Sequence, residues 1–160
     1  WLPGGYPELH GARLAANADL HDDIRRAFAA DLPILAECGG LLYALDTLTD
    51  QQGEIHAMLG LLPGAGAMRG RRGCQGMQTA ELPEGPVRGH AHHRSQASGT
   101  PEPIGFGRRQ RHPAPGEAIY RARRLTATYL HLFFPDNPVA VARLFGADAV
   151  EADSIKERQA

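Results

Sequence analysis

The chain has 160 residues, 42% hydrophobic and 22% charged, with 17 Lys and Arg against 18 Asp and Glu for a formal net charge of -1. That length suits one globular domain with a sizeable core, read here as residues 1–160. The near-zero charge argues against nucleic-acid binding, no apolar run approaches the roughly 18 residues of a membrane span, and the two cysteines, Cys38 and Cys74, make no disulfide framework. The N-terminus carries neither a basic segment nor a signal-like apolar core, so the expected location is cytoplasmic.

In chain order, the opening "WLPGG" reads as the end of a strand followed by a glycine turn, and with Trp1 in place of methionine it predicts further residues upstream. Residues 7–17 and 17–30 are helical in pattern, with Leu20, Ile24 and Phe28 at helical spacing and Asn17 or Asp19 as cap. "PILAE" predicts a short buried strand ended by a corner at Cys38, and "GGLLYALDTLTD" a helix offering Leu41, Leu42, Leu45 and Leu48 to the core. From about Gly53 the chain turns glycine-rich and basic, which predicts loops and antiparallel strands. "AIYRARRLTATYLHLFF" reads as two strands, the second holding His131, and "NPVAVARLFGADAVEAD" as a helix entered at Pro138. Neither an internal repeat nor a GxxxxGK[ST] phosphate loop occurs.

A strand that turns sharply into a helix at a small-residue corner is the nucleophile-elbow arrangement, which leaves the corner side chain exposed at the strand's C-terminal end. Gly39 and Gly40 suit such a corner at Cys38. A helix N-terminus favours a thiolate, and an imidazole in reach accepts the proton and later returns it to a leaving amine, a role open to His131. The backbone N–H of Gly39, with a second from the Gly4–Gly5 turn at Gly5, would face the oxyanion. From spacing alone an inert buried cysteine is an equal reading of Cys38.

The remaining polar features read more plainly. His90, His92 and His93 form an HxHH cluster, but strand alternation splits it and no nearby cysteine or carboxylate completes a metal set, so no metal is expected. The arginines of "RGRRG" and "GRRQRH" read as solvated loops or a domain-facing surface, since no aromatic interleaving supports base stacking. Cys74 reads as incidental, and Glu8 as a carboxylate placed to suit a helix dipole. Glu37 should point away from the thiol and anchor the corner by hydrogen bonds.

"LPGGYPELH", "LAECGGLLYAL", "GLLP", "GMQTAELPEGPVRGH" and "LTATYLHLFFPDNP" together resemble, in order and spacing, the C-terminal glutamine amidotransferase domain of the cobyrinic acid a,c-diamide synthase family, over nearly the whole chain. The resemblance implies an α/β fold of the class I amidotransferase type, with a mostly parallel central sheet flanked by helices and the first strands outside this chain. It implies glutamine hydrolysis through a thioester at Cys38, with His131 raising the thiol's nucleophilicity. The ammonia would pass to an ATP-binding synthetase domain, not contained here, that uses ATP and Mg to activate the a and c carboxylates of a corrin precursor in cobalamin synthesis. No cofactor is expected in this chain, and the chain alone is not expected to make the diamide.

Two departures from the pattern stand out. Phe133 occupies the position where many class I amidotransferases place a glutamate that orients the histidine, which implies a Cys/His dyad. His92 occupies an aromatic position of the usual RGHxFH-type stretch. The competing readings are a diamide synthase for another tetrapyrrole, such as a nickel-sirohydrochlorin, and a non-catalytic remnant that serves only as a structural or partner-binding domain.

Overall fold

The computed structural model describes residues 1–70 and 73–147. The chain opens with a 3-10 turn at Pro7–Leu9 and two helices, α1 (Gly11–Ala15) and α2 (Ala18–Ala29). Asn17 caps α2 as expected, its side chain accepting the Leu20 N–H. Ile24 and Phe28 pack on the core, whereas Leu20 is 39% exposed and lies off the buried face.

β1 (Ile34–Glu37) leads through Cys38 into α3 (Gly39–Ala44). The helix expected to run through "GGLLYALDTLTD" stops at Ala44, because Leu45 is extended and the following residues form β2 (Thr47–Thr49). β2 lies between β3 (Ile55–Ala57) and β4 (Ala65–Met68), so strand pairing overrides the helical pattern where two β-branched threonines flank Leu48. Leu41, Leu42, Leu45 and Leu48 are each at most 3% exposed, so all four reach the core despite the change of element.

The second half is strand-rich, as expected: β5 (Cys74–Leu82), β6 (Gly85–His93), β7 (Ser95–Ser98), β8 (Gly105–Arg109) and β9 (Pro115–Ala122). "AIYRARRLTATYLHLFF" carries three strands in place of the two expected, because β10 (Leu125–Thr128) ends at Tyr129 and β11 (Leu130–Leu132) pairs elsewhere. Asn137 caps the last helix, α4 (Pro138–Leu144), and the part of the expected helix beyond residue 147 lies outside the described residues. Among the described residues no helix is long and apolar enough to cross a membrane.

The strands form a seven-stranded sheet in the order β1-β10-β9-β8-β5-β6-β11 and a four-stranded sheet in the order β3-β2-β4-β7. The α/β class holds. The sheet is mixed, however, and the expected parallel character is confined to the β1–β10 and β2–β4 pairs and a Leu2–Ala36 bridge. Short hairpin turns join β5 to β6 and β9 to β10, and such turns permit only antiparallel neighbours.

β1 and β10 are buried on both faces of the large sheet, whereas β5, β6 and β8 alternate between buried and exposed residues. Ile34 and Ala36 of β1 face one core with α3, while Leu35 faces a second core with Ala140, Val141 and Leu144 of α4. The two ends of the strand order also meet: Glu37 of β1 accepts the Leu132 N–H of β11 at 2.8 Å. That closure brings Cys38 and His131 to the same end of the sheet.

Candidate active site

The corner after β1 has the strained geometry that an elbow requires. Cys38 adopts φ 50° and ψ -103°, a region that L-residues rarely occupy and that costs of order 1–3 kcal/mol unless the surroundings enforce it. The backbone on both sides enforces it. The Cys38 N–H bonds Thr128 O of β10 at 2.9 Å, and the Cys38 carbonyl accepts the Leu42 N–H at 3.2 Å to begin α3.

The glycines after the cysteine are needed for their small size, through a close backbone approach. A Cβ on Gly39 would stand 2.5 Å from Gly5 O and 2.7 Å from Gly5 N, and one on Gly40 would collide with the Leu2 carbonyl. Their missing side chains let the Leu2–Gly5 segment cross directly over the elbow. Leu2 is held there by its N–H to Leu35 O at 2.8 Å and by its carbonyl, which accepts the Glu37 N–H at 2.9 Å. Gly39 and Gly5, the two expected oxyanion donors, are thus in backbone contact beside the thiol.

His131 arrives on β11, opposite His90 of β6, and its ring packs so closely on Gly4 that a Cβ there would overlap it. Among the described residues no hydrogen bond joins the Cys38 and His131 side chains; the thiol instead faces the His92 carbonyl at 3.9 Å. Phe133, in the position of the absent glutamate, is 55% exposed and bonds Arg88 O through its backbone N–H. Glu37 supplies the fixed point, as an anchor directed away from the thiol. Its carboxylate, 2% exposed, accepts the Leu132 N–H with one oxygen and the Trp1 Nε1–H at 2.9 Å with the other, tying the strand that bears the imidazole to the strand that bears the cysteine.

Electrostatics hold both groups uncharged at rest. Burial pushes the Cys38 thiol up to about 11, against the Gly39 N–H, which favours the thiolate, and with the negative charges of Glu8, Glu37 and Glu117 acting in the same direction as burial. Burial, followed by His90, His92 and His93, holds His131 below the usual imidazole range. A neutral imidazole is able to take a thiol proton at neutral pH, whereas an imidazolium is not.

Cys38 opens on a cleft of about 410 Å³ whose walls include Gly5, Glu8, Gln51, Arg94 and Ser95. Glu8, read from sequence only as a dipole partner, is 8% exposed and faces the thiol across this cleft. Among the described residues neither Glu8 nor Arg94 has a side-chain ion pair. No local motif marks either residue, since they meet Cys38 only through the fold.

The histidine cluster divides as alternation requires. The His90 and His92 rings lie 6.0 Å apart in a stacked arrangement, while His93 turns inward and stacks on Tyr129 at 3.8 Å. The expectation that no cysteine or carboxylate joins this cluster is corrected: Cys74 of β5 and Glu117 of β9 both stand beside His93. Cys74 is opposite His93 in the β5–β6 register, a pairing that sequence separation conceals. Of the arginines in "GRRQRH", Arg108 is solvated and paired with Glu81, and Arg109 donates to Pro115 O; Arg71 and Arg72 of "RGRRG" lie outside the described residues.

The family profile of the CobB/CobQ-like glutamine amidotransferase domain matches residues 1–139. The chain is 47% identical over 144 residues to a hydrogenobyrinate a,c-diamide synthase of Stutzerimonas stutzeri, covering 90% of this chain and 34% of that protein. It is 46% identical over 153 residues to the protein of the same name in Pseudomonas aeruginosa, covering 96% of this chain and 35% of the relative. A cobyrinate a,c-diamide synthase of Herminiimonas arsenicoxydans is 43% identical over 148 residues, covering 92% and 34%. The chain therefore spans about a third of the length of these curated relatives. With the match extending from the first residue through the elbow and the strand of His131, the chain belongs to the CobB/CobQ-like glutamine amidotransferase domain family.

Proposed function

We propose that this domain hydrolyses glutamine at Cys38 and that the ammonia serves an ATP-dependent amidation of the a and c side-chain carboxylates of a corrin precursor, in cobalamin synthesis. The observation that carries the glutaminase reading is the Cys38 backbone at φ 50° and ψ -103°, a strain that a merely buried cysteine does not need, with its thiol on the cleft. The acceptor reading rests on the names of the relatives, cobyrinate and hydrogenobyrinate a,c-diamide synthases. ATP and Mg belong, in this reading, to the part of those proteins that this chain does not span. The setting is the cytoplasm, where ATP and the precursor are available, without nucleic-acid or membrane partners.

The chemistry proceeds in two stages. His131 takes the Cys38 proton as the sulfur attacks the side-chain amide carbon of glutamine, and the oxyanion forms against the N–H groups of Gly39 and Gly5. The carbon–nitrogen bond breaks, ammonia leaves with the proton from His131, and a γ-glutamyl thioester remains. Water then gives a proton to His131 and attacks the thioester; the sulfur departs, recovers that proton, and glutamate is released. Neutral resting groups suit this sequence, because only a neutral imidazole is able to take the thiol proton as the sulfur attacks. Glu8 and Arg94 have the charges to meet the ammonium and carboxylate of free glutamine across the cleft.

The test is labelling of the purified full-length protein with a glutamine-mimicking diazo-ketone, followed by peptide mass spectrometry. Modification at Cys38 that glutamine blocks and His131→Ala slows is the expected result. A folded protein that binds glutamine yet leaves Cys38 unlabelled overturns the glutaminase reading.

A further inference from the structure

β5, β6 and β9 bring three side chains of different chemistry to one spot behind the cleft. The Cys74 sulfur, a His93 ring nitrogen and a Glu117 carboxylate oxygen all lie within 4.8 Å of one another. Glu117 is set in place through its backbone N–H, which bonds Gln78 Oε1 at 2.8 Å. The Gln78 side chain, 1% exposed, fits there because Gly107 and Gly116 have no Cβ to obstruct it.

His93 shows what the cluster is built to hold. Its side chain is 6% exposed, and its Nδ1 lies 3.0 Å from Ser95 O. A carbonyl only accepts, so Nδ1 carries a proton toward Ser95, and Nε2 is the ring nitrogen turned toward Glu117. That Nε2 is buried without a hydrogen-bond partner, although Glu117 Oε2 stands 3.3 Å away. A cation held between Nε2 and the carboxylate would give both buried groups a partner. The separation fits: ligands each about 2.0 Å from a tetrahedral metal lie about 3.3 Å apart. The Nδ1–H to carbonyl bond is also the outer support that metal-bound imidazoles commonly have. Burial, and then the Glu117 carboxylate, hold the Cys74 thiol above its usual range, and Arg109 Nη2, 3.9 Å from the sulfur, opposes them; a cation at the site would act in the same direction as Arg109.

We propose that Cys74, His93 and Glu117 form a site for one Zn²⁺ ion, a borderline-soft divalent cation suited to a mixed sulfur, nitrogen and oxygen set. Thiolate and carboxylate together match its charge. Binding converts the Cys74 thiol to a zinc-bound thiolate and releases one proton to solvent, so affinity rises with pH. The ion ties three strands together where His93, stacked on Tyr129, forms part of the wall of the Cys38 cleft. The three ligands supply none of the atoms that react in the thioester chemistry, although Glu117 and His93 lie close enough to act on Cys38 and His131 through their charge.

Cobalt substitution tests the site on the purified full-length protein, stripped with a chelator and titrated with Co²⁺ and then Zn²⁺. The expected result is one equivalent of Co²⁺ that produces thiolate-to-metal charge-transfer absorption and tetrahedral visible bands, all removed when Zn²⁺ displaces it. Cys74→Ser should abolish the charge-transfer band, and Glu117→Gln should weaken Zn²⁺ binding by at least about 100-fold, the upper end for loss of even an outer support. Cys38→Ser should change neither. Absence of the charge-transfer band in folded wild-type protein overturns the proposal, leaving His93 and Glu117 as an ion pair; because it is read on the wild type, a misfolded variant does not obscure it. A band that survives in Cys74→Ser, or is lost in Cys38→Ser, equally overturns it.

Discussion

The elbow and the antiparallel half position their chemical groups by different means. At the elbow, the backbone does the positioning: β1 enters the sheet beside β10, α3 leaves at once, and Cys38 has no relaxed conformation that satisfies both. Across β6 and β11, the backbone is ordinary and side-chain contacts do the positioning, through Glu37 on Leu132, His131 on Gly4 and three histidines around the imidazole. The elbow is held by several backbone hydrogen bonds, from Thr128, Leu2 and Leu42, so that it withstands the loss of one side chain, whereas a ring held by side-chain contacts is displaced when one of them is lost. Substitutions near the cysteine should therefore act on chemistry in one step, and those near the histidine should act by degrees.

The largest effect expected is that of Cys38→Ser, which should reduce glutamine hydrolysis by about 10⁴-fold or more with folding unchanged, read as glutamate release and circular dichroism. Retained hydrolysis would remove the elbow from the mechanism. His131→Ala should cost about 10²–10⁴-fold in kcat for hydrolysis. Gly4→Ala places a methyl where the imidazole now packs, so a loss near 10²-fold in kcat is expected, of the order produced by a displacement of about 1 Å; full activity would show that the ring is not held there.

Glu37→Gln separates the two halves most directly. The amide has one acceptor oxygen for two donors, so either Leu132 N–H or Trp1 Nε1–H is left without its partner. A destabilisation of about 1–3 kcal/mol in urea unfolding is expected, together with about a tenfold fall in kcat. A stability loss without any change in kcat would mean that the strand clamp does not aim His131.

The smallest effect is a shift in pH dependence. Hydrolysis requires neutral His131, whose pKa is held below the usual value, so the acid limb of kcat/KM should fall below the ordinary imidazole range of about 6.5 and the rate should rise with pH through it. On the alkaline side the thiol, raised to about 11, should leave a long plateau. His90→Gln removes one of the positive charges that oppose protonation of His131 at low pH, so it should move the acid limb upward, the three-histidine surround being reduced to His92 and His93. An unmoved limb would exclude His90 and leave the depression to burial, His92 and His93.

Much of the site near Cys38 is legible in the sequence because its causes are local. "PILAECGG" states a buried strand, a corner and two residues without side chains, and each of these restricts the backbone within a few positions. Asn17 as a cap, and the four leucines as core, are read the same way, since capping and burial periodicity act over one or two turns. The end of α3 at Ala44 is not legible there, because β2 forms only when β3 and β4 arrive to pair with it. Nor is the mixed sheet, whose pairing depends on which strands become neighbours.

By itself, then, the sequence determined where a corner with a cysteine would stand between strand and helix and which leucines after it would be buried, and through the resemblance it carries it pointed to His131 as the proposed partner of Cys38. Only the tertiary structure decided that Glu37 joins the two ends of the sheet, that Glu8 and Arg94 face each other's cleft, and that Cys74, His93 and Glu117 converge. The physical reason is one of range: dihedral strain, capping and periodicity are written between near neighbours in the chain, but a hydrogen bond between residues 95 positions apart exists only after every strand between them has found its register.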